Sequence, residues 1–392
     1  MAESEREVAH VFTLTSQDGD VASTGTGVRV RRNSARSGAT VAVTGARGSL
    51  GRALVEALAA SADVKRVVAI DPEPPKGSKA KSGRSVTWRA GDVRDPAVSA
   101  ALAGADAVVH LAGDRAADSD PSQRRALNLR GTETLLTAVA AEGVRRVVLV
   151  TSAMVYGADP DNAVPLDEDG PLRAEADLTL VGDWVEMERV ADRIERAHPS
   201  LEVTRVRPAS LVGGEADAAL PRMFDAPRLL VLKGSRPHWQ FCHTDDLVSA
   251  LVWAATGKVG GAVTVGSEGW LEHSAVEEIS GLRSLVVPSA VAYATAERLH
   301  RVGVVPAPAS ELRYLAHPWV VGSQRLRAAG WEPAWSNDAA LAEHVASLAG
   351  VRRQGPRVGR KDATRAAAGA AVAVVGTVAI ARARAARRRR RS

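Results

Sequence analysis

Three glycines recur at a spacing of three in the run Thr44-Gly45-Ala46-Arg47-Gly48-Ser49-Leu50-Gly51. The chemistry such a run can do is to hold a diphosphate. Gly45 permits a tight turn, Gly48 lets the backbone approach a pyrophosphate, and Gly51 lets a helix lie close to the strand before it. The start of that helix, with Arg47, Ser49 and Leu50, offers free N–H groups and the positive end of a dipole. This work needs a strand ahead of the run and a helix behind it. Val41–Val43 is a short apolar run, and Leu50 to Leu58 carries a helical pattern. A second apolar run, Val67–Ile70, ends at Asp71, about twenty residues past the glycines. A carboxylate there accepts hydrogen bonds from the adenosine ribose hydroxyls and repels a 2′-phosphate, so NAD is the expected cofactor ahead of NADP. Lys65 and Arg66 precede the strand and are poorly placed to bind that phosphate. Without a ligand, the same residues make a glycine-rich turn and a solvated carboxylate.

The elements that must position these residues follow in alternation. Ala107–Leu111, Val147–Val150 and Leu201–Val206 read as further buried strands, with helical segments at Pro96–Leu102 and Gln123–Ala141. Such alternation predicts an α/β fold, a Rossmann-type doubly wound parallel sheet with right-handed crossovers. After Pro208 the pattern turns irregular, with Gly, Pro and Trp, which suits a smaller C-terminal substrate lobe. The expected organisation is a disordered leader over 1–38, a domain over 39–350 (39–208 mainly cofactor-binding, 209–350 mainly lobe) and a basic tail over 351–392.

The 392 residues carry a formal net charge of +6, but residues 351–392 hold thirteen Arg or Lys and one Asp. The body ahead of the tail is therefore net acidic, and the overall basicity is no argument for specific nucleic-acid binding. A single cysteine, Cys242, excludes an intramolecular disulfide and a thiolate metal cluster, fits a cytoplasmic location, and leaves no metal site expected. Within the tail, residues 366–381 are free of charge and are followed by arginines. Sixteen residues make a helix of about 24 Å, short of a bilayer core of about 30 Å. Three readings stay open: a short anchor, a helix lying on an anionic membrane surface, and a disordered basic tail.

The glycine run and several later motifs together resemble the extended short-chain dehydrogenase/reductase family, the NAD-dependent epimerases and dehydratases of nucleotide sugars. Gly91-Asp92-Val93 resembles that family's adenine-side segment. His110-Leu111-Ala112-Gly113 resembles its fourth-strand segment beside the cofactor, and Asn128-Leu-Arg-Gly131-Thr132 its Asn-x-x-Gly-Thr helix. Thr151-Ser152-Ala-Met-Val-Tyr156-Gly157 resembles the fifth-strand motif, which makes Ser152 the catalytic serine. Arg207-Pro208 resembles the segment near the nicotinamide, His243-Thr-Asp245-Asp246 a motif of the lobe, and Leu326 to Pro333 the closing segment. The resemblance implies cofactor contacts at Asp92, Val93, Leu111, Ala112, Gly113, Asn128, Thr151 and Pro208. It also implies a homodimer through the helices after the fourth and fifth strands.

The family's general acid/base is a tyrosine with a lysine four residues on. The lysine lowers the tyrosine pKa and holds the nicotinamide ribose. Here the register places Leu180 and Trp184 at those positions, and Glu188 at a carboxylate position beyond them. No tyrosine occurs between Tyr156 and Tyr293, and no lysine between Lys81 and Lys233. The resemblance makes Tyr156 and His243 structural. Substitute acids would come from Glu175, Asp177, Asp183 or Glu186, which otherwise form the solvated start of a helix. Arg236 resembles, weakly, a residue gripping a nucleotide-sugar pyrophosphate. Two functions therefore stand. One is hydride transfer to nicotinamide from a nucleotide sugar or related hydroxyl compound. The other is a non-catalytic NAD-binding sensor or scaffold.

Overall fold

The computed structural model describes residues 38–75, 86–116, 119–213, 223–224, 226–302 and 308–353. The leader, apart from residue 38, and the tail from residue 354, with its apolar stretch, lie outside the described residues. Valine-rich runs with both faces covered form the centre of the molecule, as expected of strands in a parallel sheet. They are β1 (Ala39–Thr44), β2 (Val64–Asp71), β4 (Ala107–His110), β5 (Arg146–Val150) and β6 (Glu202–Pro208), with β3 (Val86–Ala90) a less buried strand at the edge. Short strands follow: β7 (Ser210–Val212), β8 (Leu229–Leu232), β9 (Phe241–His243), β10 (Ala262–Val265) and β11 (Ser284–Val287). The seven-stranded sheet runs β10-β6-β5-β4-β1-β2-β3, every neighbouring pair parallel. The order reverses direction at β1 and β4, whose C-terminal ends sit side by side with Thr44 opposite His110. In such sheets a ligand crevice opens at that point, outside the carboxyl ends of the strands. The doubly wound sheet expected from the sequence is the one observed.

The crossover helices are α1 (Ser49–Ala60), α2 (Val98–Leu102), α3 (Pro121–Arg125), α4 (Gly131–Ala141) and α5 (Leu180–Ala197). Asp120 caps α3 by accepting from the backbone of Ser122 and Gln123, with Pro121 in the first turn. A π-turn, Ala126–Arg130, links α3 to α4, so the helix expected over 123–141 is continuous but locally underwound. Such bulges often sit at functional positions, and Asn128 lies at its centre. Thr179 caps α5 by accepting from the Gly182 backbone.

The segment after Pro208 divides between two places. Its α6 (Thr244–Ala255) packs on α1, and β10 extends the main sheet. The remainder forms the smaller lobe: the β7–β9 and β8–β11 pairs with α7 (His273–Ser280), α8 (Ser289–Arg301), α9 (Gln324–Ala328) and α10 (Asn337–Arg353), of which α9 packs against β10. The lobe has its own apolar clusters, one around Phe224, Trp239 and Phe241, the other around Leu230, Leu232 and Val287. A 3-10 turn, Ala309–Leu315, ties the lobe to the sheet domain. The Tyr314 hydroxyl donates to the Met154 carbonyl at 2.8 Å, and Arg313 pairs with Asp159 at 2.7 Å.

Candidate functional site

The glycine turn has three sterically different positions. Gly45 takes φ +69°, and a Cβ there would lie 2.7 Å from the Ala112 backbone nitrogen. At Gly51 a Cβ would lie 2.2 Å from the Gly45 carbonyl oxygen and 2.8 Å from the Ala46 Cα, so this glycine is set by helix-to-strand packing. At Gly48 the nearest atom would be 3.4 Å away. The fold therefore demands Gly45 and Gly51, and leaves the exposed Gly48 sterically open. Beside the turn, the Asp71 carboxylate accepts from the Arg47 backbone at 3.2 Å, and Arg47 itself reaches Glu73. Asp92 is held by Arg94 through paired hydrogen bonds, the shorter 2.6 Å, which keep its carboxyl below the usual range. Val93 is buried, and a Cβ on Gly131 would meet it at 2.8 Å.

Under the crevice, His110 bridges two hydroxyls. Its Nδ1 lies 2.9 Å from Thr44 Oγ1, and its Nε2 lies 3.2 Å from Thr132 Oγ1. Burial, helped by the charge of Arg115, pulls its pKa down to about 4, so the ring is neutral near pH 7. Asn128 pins the loop after β4: its Oδ1 accepts from the Asp114 backbone at 2.8 Å, and its Nδ2 donates to the Asp114 carbonyl at 2.9 Å. Gly113 fits that bracket because a side chain would crowd Asn128. A small cavity opens there, lined by residues 110–115 with Asn128, Val150, Trp184 and Met187.

At the α5 edge, Thr151 donates to Glu188 at 2.7 Å. Ser152 is buried, and its Oγ accepts from the Met154 backbone at 3.2 Å. Leu180 and Trp184 are both buried and apolar, and Trp184 forms part of the cavity wall. Tyr156 donates to the Glu168 carbonyl at 2.8 Å and accepts from Arg207 at 2.6 Å. Burial pushes its phenol up to about 12, which suits a structural group and not a proton carrier near pH 7. Arg207 forms a two-pronged pair with Glu188, at 3.0 and 2.5 Å, and lies over the Tyr156 ring. His243 stacks on Trp335 at 3.8 Å and accepts from the Asp245 backbone, an arrangement that orders the lobe loop.

The four carboxylates before and within the first turns of α5 have different fates. Glu175 is exposed, and Asp177 accepts from Thr179. Glu186 pairs with Arg189 at 2.6 Å. Asp183 is fully buried and accepts from Arg124 at 2.7 Å, Arg125 at 2.9 Å and Asn128 at 3.2 Å. It is neither solvated nor free to take a proton from a substrate, because three donors occupy it. Sequence reasoning missed Arg124 and Arg125 as its partners, since an Arg-Arg pair on a helix normally reads as a solvated face. It also missed Glu311. Burial and the like charge of Asp177 raise that carboxyl to about 7, with Arg124 opposing them. No spacing links Glu311 to the motifs, because it comes from the lobe's 3-10 turn.

Residues 41–266, more than half of the chain, match the NAD dependent epimerase/dehydratase family, and the chain belongs to that family. The family's cofactor is the one expected from the glycine run and Asp71. Similar curated proteins include an uncharacterized protein of Mycobacterium tuberculosis, 29% identical over 303 residues, covering 76% of this chain and 80% of that protein. A Stigmatella aurantiaca ketoreductase, acting on a farnesylated dihydroquinoline oxide, is 26% identical over 224 residues, 56% of this chain and 66% of that protein. Among solved structures, the Campylobacter jejuni UDP-Glc/GlcNAc 4-epimerase aligns with a TM-score of 0.59 at 17% identity, over 79% of this chain and 99% of that one. The Thermus thermophilus UDP-glucose 4-epimerase in complex with NAD aligns at 0.56 with 20% identity, over 79% and 99%. These structures share the fold.

Proposed function

We propose that the protein binds NAD across the C-terminal edge of the sheet and passes hydride between nicotinamide and a nucleotide sugar or related hydroxyl compound. The observation that carries the cofactor reading is the glycine turn, with two positions closed by packing and Gly48 exposed and sterically open. In this reading the pyrophosphate lies on the α1 N-terminus, Asp71 takes the adenosine ribose, and Asp92 and Val93 flank the adenine. Leu111, Ala112, Gly113, Asn128, Thr151 and Pro208 line the remainder of the path. NAD supplies the hydride chemistry when bound. Ser152 polarises the substrate oxygen. The proton goes to a group other than Leu180 or Trp184.

A second reading is favoured by one specific observation. Both positions that carry proton transfer in the resemblance are filled by buried apolar side chains. On that reading the protein keeps NAD and uses it to sense or to scaffold. The tail adds contact with an anionic membrane surface to either reading, and the helices after β4 and β5 supply a homodimer interface.

Calorimetric titration of the full chain with NAD and NADP, followed by a nucleotide-sugar panel read at the NADH absorbance, separates the readings. NAD binding with sugar-dependent NADH supports hydride transfer. NAD binding without any NADH signal supports the sensor. Binding of neither dinucleotide sinks both.

A further inference from the structure

A second cavity opens beside the end of β6, where the lobe meets the sheet. Trp239, Tyr314 and Trp319 give it three aromatic side chains, all more than nine-tenths buried, beside Ser210, His238 and Gln240. Ser210 follows Pro208 by two residues. The Tyr314 hydroxyl donates to the Met154 carbonyl at 2.8 Å, and the Met154 backbone N–H donates to Ser152 Oγ at 3.2 Å. A single residue thus joins the wall of this cavity to Ser152.

Among the described residues, no Arg, Lys, Asp or Glu lines this cavity. The cations near the junction are committed elsewhere or face water. Arg207 is held by Glu188, Arg313 by Asp159 and Arg325 by Asp169. Lys233 and Arg236 are exposed in the turn after β8 and lie outside the lining. The charges that reach the wall are mostly negative. Burial holds the Tyr314 phenol above its ordinary pKa, Arg313 opposes it, and Glu311, Asp177 and Asp159 add to it. A diphosphate taken out of water needs cations or several donors to complete it. The donors here are few. Gln240 is saturated by Ser267 and Val321. Trp239 Nε1 and His238 Nδ1 are buried without a partner. Each nitrogen makes one hydrogen bond, enough for the oxygen of a carbonyl or hydroxyl group.

We propose that the hydroxyl compound this protein takes is an uncharged apolar ring compound, an alcohol or ketone seated against Trp239, Tyr314 and Trp319, and not a nucleotide sugar. The proposal rests on the hydride-transfer reading above and chooses between the two substrate classes that reading names. Aromatic walls stabilise a flat apolar ring through burial and through edge or offset contacts. They offer no compensation to a diphosphate. Trp239 discriminates most, because it contributes both an apolar face and a free N–H.

The test is calorimetric titration of the full chain with 2-tetralone and with UDP-glucose, at saturating NAD, which keeps UDP-glucose out of the glycine-turn site. 2-Tetralone is expected to bind at least about 10-fold more tightly than UDP-glucose. Its affinity holds from low to high salt, since no ion pair forms. Trp239→Phe keeps an aromatic face and lacks the N–H, so 2-tetralone binds about 2- to 10-fold more weakly. Trp239→Arg puts a cation on the wall, so 2-tetralone affinity falls at least about 10-fold and UDP-glucose affinity rises by a similar factor. Where that variant does not fold, the ranking in the unaltered protein and the Trp239→Phe loss decide. Tighter binding of UDP-glucose than of 2-tetralone overturns the proposal, and a further loss in Arg236→Ala would then assign the diphosphate to that arginine. Absence of 2-tetralone binding overturns it too, as does binding that no Trp239 variant alters. Failure to bind NAD sinks the hydride-transfer reading instead. 2-Tetralone titrated without NAD still reports on the cavity, so the two failures are distinct.

Discussion

The two walls of the crevice are built by different rules. At the β1–α1 wall the requirement is space. Gly45 and Gly51 are fixed by contacts within the protein, and Gly48 is small toward the outside. The α5 wall is apolar where it meets the cavity: Leu180 and Trp184 are both buried, and Trp184 lines it. Yet the α5 wall is not loosely made. Asp183 with Arg124 and Arg125, and Glu188 with Arg207, lock it to the π-turn and to β6. An apolar wall is thus held in place by a buried ionic frame behind it.

The α5 frame predicts the largest effect. Removing one partner of a buried pair leaves an uncompensated charge, at a cost of about 3–5 kcal/mol. Asp183→Ala, which strands two arginines, is expected to lower unfolding stability by about that amount in urea denaturation. Glu186→Gln, three residues further along the same helix but half-exposed and paired to Arg189, should stay within about 0.5 kcal/mol. Equal effects for the two would show that α5 is held by its apolar face alone, and the contrast between the walls would lose its basis.

The floor between the walls gives the next effect, through pH. His110 has a folded pKa of about 4 against an ordinary value of 6.5. Below 6.5 the unfolded chain takes up a proton that the folded ring refuses. The stability contribution is therefore complete above pH 6.5 and is lost as pH falls toward 4. Between pH 7 and pH 5 the loss amounts to about 2 kcal/mol. Urea unfolding at the two pH values, in the unaltered protein and in His110→Asn, measures it as a difference of slopes. Identical slopes would mean that Thr44 and Thr132 do not hold a neutral ring.

Legibility in the sequence followed the same division. The strands through β6 and the helix after the glycines were readable because a parallel sheet writes itself as short β-branched runs between turn residues. The glycine turn was readable because sterics admit one residue type at fixed spacing. β3 was missed, since Val86–Ala90 is an edge strand of mixed burial with no clean apolar run. The placement of β10 and α6 back on the sheet was missed too, because periodicity says nothing about which neighbour an element chooses. The ionic frame escaped for a related reason. Arg124 and Asp183 are 59 residues apart, and a charge on a helix reads as exposed until its partner is known. Glu311 belongs to no motif and becomes visible only through what surrounds it.

The glycines themselves permit the finest cut between space required by the fold and space left for a ligand. Gly51→Ala puts a methyl 2.2 Å from the Gly45 carbonyl oxygen, which is backbone and cannot swing aside. The turn must shift, at a cost of about 1–3 kcal/mol. Gly48→Ala meets nothing closer than 3.4 Å, and a helix-start alanine in place of glycine changes stability by less than about 1 kcal/mol. Affinity for NAD should reverse the order of consequence at Gly48. That methyl occupies the space a pyrophosphate needs, so binding weakens while the thermal unfolding midpoint holds. Measuring both quantities on both variants makes a two-by-two comparison. If Gly48→Ala binds NAD as the unaltered protein does, the open side of the turn does not face the diphosphate. If it unfolds as readily as Gly51→Ala, the space at Gly48 belongs to the fold and not to a ligand.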